Sequence, residues 1–110
     1  MSTINQVLLV PPTAMTGTDA AYYTVPSATT VKIGRAIFCN TDSSAHTLTI
    51  NVNTGTSSAA NEIIAAVGIA SGSTYVSPEL AGMVLPPGYQ IRGLSATQVT
   101  MTVSGITIVG

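Results

Sequence analysis

The sequence predicts an all-β fold, an antiparallel sandwich or barrel of about eight or nine short strands. Three observations carry this. Hydropathy alternates with a period of two in several runs, β-branched and aromatic residues gather in short segments, and Gly, Pro, Asn, Asp and Ser separate those segments at close intervals. A period of two sends successive side chains to opposite faces of a strand. Helix signals are weak by comparison.

The first strand is read at 6–10, where the apolar Val7-Leu8-Leu9-Val10 is stopped by Pro11-Pro12. Proline cannot donate to a ladder, so residues 1–18 are expected as an N-terminal strand or arm that pairs either within its own sheet or with the sheet edge of a neighbouring chain. Residues 19–110 then form the sandwich domain. A strand at 21–25 holds Tyr22 and Tyr23, which should point to opposite faces, one into the core and one towards a neighbour. The strand at 30–40 places Val31, Ile33, Ile37 and Cys39 on one face and Ala36 and Phe38 on the other. It is therefore apolar on both sides over its second half, which calls for cover by loops or by another subunit.

Thr41-Asp42-Ser43-Ser44 is expected to be a hairpin loop leading into the cleanest strand of the chain, 47–53. There Leu48, Ile50 and Val52 alternate with Thr47, Thr49, Asn51 and Asn53. Residues 57–66 contain a short helix-compatible stretch, but Thr54-Gly55-Thr56 before it and Ile63-Ile64 within it favour a loop running into a strand at 63–69. Strands at 73–76, 83–85 and 90–95 follow, with Gly72 supplying one turn and Pro87-Gly88 the residue order of a type II turn. In the final strand Val99, Met101 and Val103 alternate with polar residues. Ser104-Gly105 then shifts the phase so that Ile106 and Ile108 continue the apolar face, as a bulge at glycine would allow.

Only seven of the 110 residues are charged (Asp19, Lys32, Arg35, Asp42, Glu62, Glu79 and Arg92), while 28 are Ser or Thr. An ordinary domain carries about a quarter of its residues as charges. This surface must instead be made of hydroxyls, amides and small apolar groups, and it lacks the ionic repulsion that holds monomers apart. Self-association or docking onto a larger assembly is the first expectation. With a net charge of −1 and no basic cluster, the chain has no set of phosphate contacts, so direct nucleic-acid binding is not expected. The run Val7-Leu8-Leu9-Val10 is too short for a signal core or a membrane span, so the protein is read as used without export through a cleavable signal. Its single cysteine, Cys39, cannot form an internal disulfide.

The chain offers little catalytic chemistry. His46 is the only histidine, which rules out a multi-histidine metal site, and it is read as solvated or edge-packed. Cys39 is read as a structural thiol because no orienting acid accompanies His46. Glu62 and Glu79 lack the aromatic cleft that a glycosidase pair needs, and Asp19 and Asp42 lack a clustered acidic loop for calcium. No phosphate-binding glycine motif occurs. Catalytic residues, cofactors and metals are therefore all expected to be absent.

Several stretches carry a resemblance: Tyr22-Tyr23-Thr24-Val25-Pro26, Ile37-Phe38-Cys39-Asn40, Thr47-Leu48-Thr49-Ile50, Leu85-Pro86-Pro87-Gly88-Tyr89-Gln90-Ile91 and Val103-Ser104-Gly105-Ile106. In this order, over about residues 20–108, the chain resembles small jelly-roll virion proteins of tailed bacteriophages, the decoration (cement) and tail-associated modules. The resemblance implies a jelly-roll-like antiparallel β-sandwich without catalytic residues. It also implies a dimer or trimer that binds the major capsid protein on the capsid exterior after synthesis in the host cytoplasm. Interface candidates are Tyr22, Tyr23, Arg35, Phe38, Tyr75 and Tyr89, with Arg35 suited to an inter-subunit ion pair. The alternatives are a tail or neck module, or a carbohydrate- or receptor-binding sandwich in which exposed Tyr75 and Tyr89 stack on sugar rings.

Overall fold

A computed structural model describes residues 3–110; Met1 and Ser2, the start of the 1–18 segment, lie outside the described residues. Nine strands account for most of them: β1 (Thr3–Ala14), β2 (Ala20–Thr24), β3 (Thr29–Asn40), β4 (His46–Asn53), β5 (Glu62–Ile69), β6 (Thr74–Val76), β7 (Val84–Leu85), β8 (Gln90–Leu94) and β9 (Val99–Val109). A single 3₁₀ turn, Ala59–Asn61, precedes β5. One sheet has the order β1-β9-β3-β6, with β7 also on β3, and the other has β2-β8-β4-β5. All pairings are antiparallel. Because β6 and β7 lie along the same strand, they act as two pieces of one interrupted strand, and the order is then that of a jelly roll.

The inner faces meet in one core. Val31, Ile33, Ala36 and Phe38 from β3, Leu48 and Ile50 from β4, Ile91 from β8, and Val99, Met101 and Val103 from β9 are all fully buried. The alternation read at 47–53 is the one observed, with Leu48 and Ile50 inside. The Pro86-Pro87-Gly88-Tyr89 turn also forms as expected, with Gly88 at φ +86° and the Tyr89 N–H donating to Pro86 O at 3.3 Å.

Three local expectations are corrected. The faces of β3 change partway along, because the pairing with β9 slips between Ile33 and Arg35 and leaves Gly34 as an extra residue. Val31 and Ile33 therefore share the inner face with Ala36 and Phe38, while Ile37 and Cys39 turn outward and are half-buried. The extra residues lie on the flanking strands, Gly34 of β3 opposite Ser104–Gly105 and Leu9 of β1 opposite Val103–Ser104, and not on β9 itself. Thr41-Asp42-Ser43-Ser44 is not a hairpin loop, since it carries the chain from β3 in one sheet to β4 in the other. Buried Asn40 holds that crossing together, donating to Ser44 O and Ile69 O and accepting the Asp42 N–H. Of the two pairings left open for the N-terminal segment, the described part takes the internal one. β1 pairs with β9 of its own sheet and sends Leu9 and Val10 into the common core.

Candidate functional site

Positions of the six interface candidates follow from this register. Phe38 lies on the inner face and is fully buried, which corrects its placement on an outward face; its ring packs against Tyr75 at a centroid distance of 6.4 Å. All four tyrosines are half-buried against the core. Tyr22 and Tyr23 are separated by a slip in the β2–β8 register, so neither projects as a free ring, and the Tyr22 hydroxyl accepts the Thr16 N–H at 3.1 Å. Burial raises the Tyr23 pKa. Arg35 is exposed on the outer face of the first sheet opposite Ser104, with no acidic partner among the described residues.

Tyr75 anchors a small polar cluster. Its hydroxyl lies 2.7 and 2.9 Å from the two oxygens of Glu79, and Ser77 Oγ donates to the same carboxylate at 3.0 Å. Burial, and then the bond to Glu79, push the Tyr75 pKa up to about 12, while the bond from Tyr75 holds Glu79 below its ordinary value. The cluster ties the β6 end to the turn after it: Ser77 Oγ also accepts the Leu80 N–H, and Leu80 is buried. Glu79 is thus committed to structure. The sugar-stacking arrangement asks for exposed rings at Tyr75 and Tyr89, and both rings are half-buried.

Asp42, Asp19 and Arg92 are similarly occupied. Asp42 Oδ2 lies 2.7 Å from His46 Nε2, and that hydrogen bond, reinforced by the Ser43 N–H, holds the Asp42 carboxyl below its ordinary pKa. Asp19 pairs with Arg92 at 2.8 Å and accepts Ser57 Oγ at 3.0 Å. No group of three or more metal-ligating side chains occurs among the described residues, and no helix among them is long and apolar enough to cross a membrane.

The two outer faces differ sharply. On the second sheet, the loop 54–61 lies over β4 and is pinned by amides. Asn51 Nδ2 donates to Ser58 O and Asn61 Oδ1, Asn53 Nδ2 to Ser57 Oγ, and Asn61 Nδ2 to Thr56 O. Beside it is a shallow cup of about 300 Å³ that includes Asp19, Thr49, Glu62 and Leu94. On the first sheet no loop covers the outer face, and four of its strands carry outward aliphatic side chains. Ile4, Leu8, Val76 and Val84 are the main ones. None of these was singled out from sequence. The available signal was the unbroken apolar run Val7-Leu8-Leu9-Val10, which alternation alone cannot place entirely inside.

No family model matches the chain, and no curated protein matches it. Two solved structures resemble it in fold. A chain from the crystal structure of the T13 IBDV viral particle superposes with a TM-score of 0.56 at 8% identity, covering 97% of this chain and 30% of that one. A chain from the structure of infectious bursal disease virus, Gx strain, gives 0.53 at 12% identity, covering 98% of this chain and 32% of that one. The likeness is one of β-sandwich fold, and the protein spans about a third of the length of the chains it resembles.

Proposed function

We propose that the protein is a non-enzymatic structural component of a virion, and that it serves as a homo-oligomeric decoration protein on the exterior of a tailed-bacteriophage head. The observation that carries this reading is a jelly roll in which most charged side chains are tied up in local contacts, while the outer face of the first sheet exposes the aliphatic side chains Ile4, Leu8, Val76 and Val84 with Lys32 and Arg35 as its charges. Such a face suits contact with protein and offers little to a solute. The fold likeness to chains of viral particles, extending over nearly the whole sequence, supports the virion setting. The mechanism is geometric. Many weak contacts repeated by symmetry add up through avidity, and a ligand that binds only the assembled shell stabilises it by mass action.

The test is addition of purified protein to expanded shells lacking it, followed by cryo-electron microscopy and a heat challenge. Regular occupancy of lattice positions on the major capsid protein, together with greater resistance to heat, is the expected result. Density confined to the neck or tail would replace this reading with that of a tail module, and absence from particles would refute both.

A further inference from the structure

Residues directly opposite in an antiparallel pair point to the same side of the sheet, and Val31, Ile33 and Leu85 fix the inner side of the first sheet because they are buried. Their neighbours must point out. Thr30, Ile108 and Ile4 form one outward row across β3, β9 and β1, and Lys32, Ile106 and Gln6 form the next. Leu8 and Ser104 follow, and Val84 flanks Lys32. Four of the five most exposed large aliphatic residues lie on this side: Ile4 at 66%, Val84 at 58%, Val76 at 51% and Leu8 at 49%. Neither β1 nor β9 contains a charged residue; the two cations of this face, Lys32 and Arg35, stand to one side on β3.

The face also has relief. The bulge at Gly34 falls opposite Ser104–Gly105 and the bulge at Leu9 one step along, opposite Val103–Ser104, and three small residues, Gly34, Ser104 and Gly105, meet at one point of the sheet. They floor a dent of about 460 Å³ bordered by Gln6, Leu8 and Ile106. An exposed aliphatic knob, Leu8, thus stands directly beside a hole large enough to receive one.

We propose that this face is where two copies of the chain meet, β1 and β9 of one against β1 and β9 of the other across a two-fold axis, with Leu8 of each copy seated in the dent of its partner. Knob and dent on a single patch make the surface self-complementary, as an isologous contact requires. β1 and β9 carry no charge, so like surfaces approach there without repulsion, while Lys32 and Arg35 stand on β3, one strand away opposite Ile106 and Ser104. Size reaches the lower limit for a specific contact once β3 is counted at its margin: three strands of about eleven residues at 3.3 Å each, about 4.8 Å apart, give roughly 500 Å² per copy, so two copies bury about 1,000 Å². The inference deepens the self-association half of the proposed function and does not depend on the particle to which the protein binds.

Sedimentation equilibrium of the full chain tests it. The wild type should sediment at twice its 11.1 kDa mass at micromolar concentration and should remain dimeric in molar salt. Leu8→Glu and Ile4→Glu, both at exposed positions, should raise the dimer dissociation constant by about tenfold or more. Ser104→Leu, which fills the dent from its floor, should do the same. Lys32→Ala and Arg35→Ala should change it less than about threefold. Circular dichroism melts confirm that each variant is folded. A wild type that stays monomeric at millimolar concentration, or a dimer indifferent to Leu8→Glu, overturns the proposal. So does a monomeric wild type whose binding to shells is lost in Leu8→Glu, because capsid protein would then be the occupant of the face. A salt-resistant dimer that fails to bind shells would refute the decoration role and leave this interface standing.

Discussion

Gly93→Ala should be among the most damaging single-methyl changes available to this protein. Gly93 lies on the inner side of β8, opposite Ile50 of β4 and Ala20 of β2. A Cβ there would fall 2.3 Å from Thr49 O and 2.7 Å from Ile50 Cδ1. The Ile50 side chain could shift, but the Thr49 carbonyl belongs to the β4 backbone and cannot move without separating β4 from β8. The methyl group itself would contribute at most about 0.8 kcal/mol of burial, and the loss of chain freedom in the unfolded state about 0.4–1 kcal/mol. Overpacking against a rigid neighbour costs about 1–3 kcal/mol and sometimes more. An overlap of this depth with backbone belongs at the top of that range, and after the two favourable terms we expect a net loss of about 1–2 kcal/mol, or roughly 4–16 °C in melting temperature for a domain of this size. Gly68→Ala is the matched control: it sits in β5, a Cβ there meets nothing within 4 Å, and its φ is not positive. It should be neutral or stabilising by up to about 1 kcal/mol. Urea and thermal melts followed by circular dichroism report both. If the two variants melted within about 3 °C of each other, the close approach of β4 and β8 at Gly93 would be wrong.

Two further outcomes follow from named contacts. Ile50→Asp buries an unpaired carboxylate in the core and should cost about 4 kcal/mol or more, whereas Thr49→Asp, half-exposed and still able to accept the Ala66 N–H, should cost under about 1 kcal/mol; equal losses in a urea titration would mean that the faces of β4 are misassigned. The Tyr75–Glu79 bond needs a protonated phenol and an ionised carboxylate. Because the Tyr75 pKa is raised from 10.0 to about 12, its contribution is fully present below pH 10 and is lost as pH rises towards 12; because Glu79 is lowered, its contribution is present above the ordinary carboxylate pKa and is lost as pH falls through the folded value. Tyr75→Phe should remove the alkaline loss, and an unchanged stability profile between pH 9 and 12 would show that the bond contributes nothing.

What the sequence shows well here is local alternation. The 47–53 strand, the Pro87-Gly88 turn and the outline of all nine strands rest on side-chain period and turn chemistry, which neighbouring residues determine among themselves. Errors begin where a long-range partner decides. Nothing near Gly34 announces that β9 will slip past it, yet that one extra residue moves Phe38 from an expected outer face into the core. Similarly, Thr41-Asp42-Ser43-Ser44 has hairpin chemistry, but Asn40 reaches Ile69 O on β5 and fixes the segment as a crossing between sheets. The candidate surface was harder still to read. The tyrosines drew attention as residue types, while the exposed face is made of ordinary aliphatics whose outward position depends on the register of three strands.

That dependence bears on how such a surface is maintained. β1 contributes Leu9 and Val10 to the core and Ile4 and Leu8 to the outer face, with the bulge at Leu9 between the two sets. Removing the bulge would shift one half of β1 by a residue relative to the other and exchange inward for outward side chains, because the period is two. The irregularity that interrupts the pairing of β1 and β3 with β9 therefore has a consequence for assembly. It turns an apolar row outward at one end of the strand while the other end keeps its side chains inside. It also gathers Gly34, Ser104 and Gly105 into a hole beside that row. In a chain with so few charges to specify a partner, the shape produced by these two bulges is the main source of specificity that the face possesses.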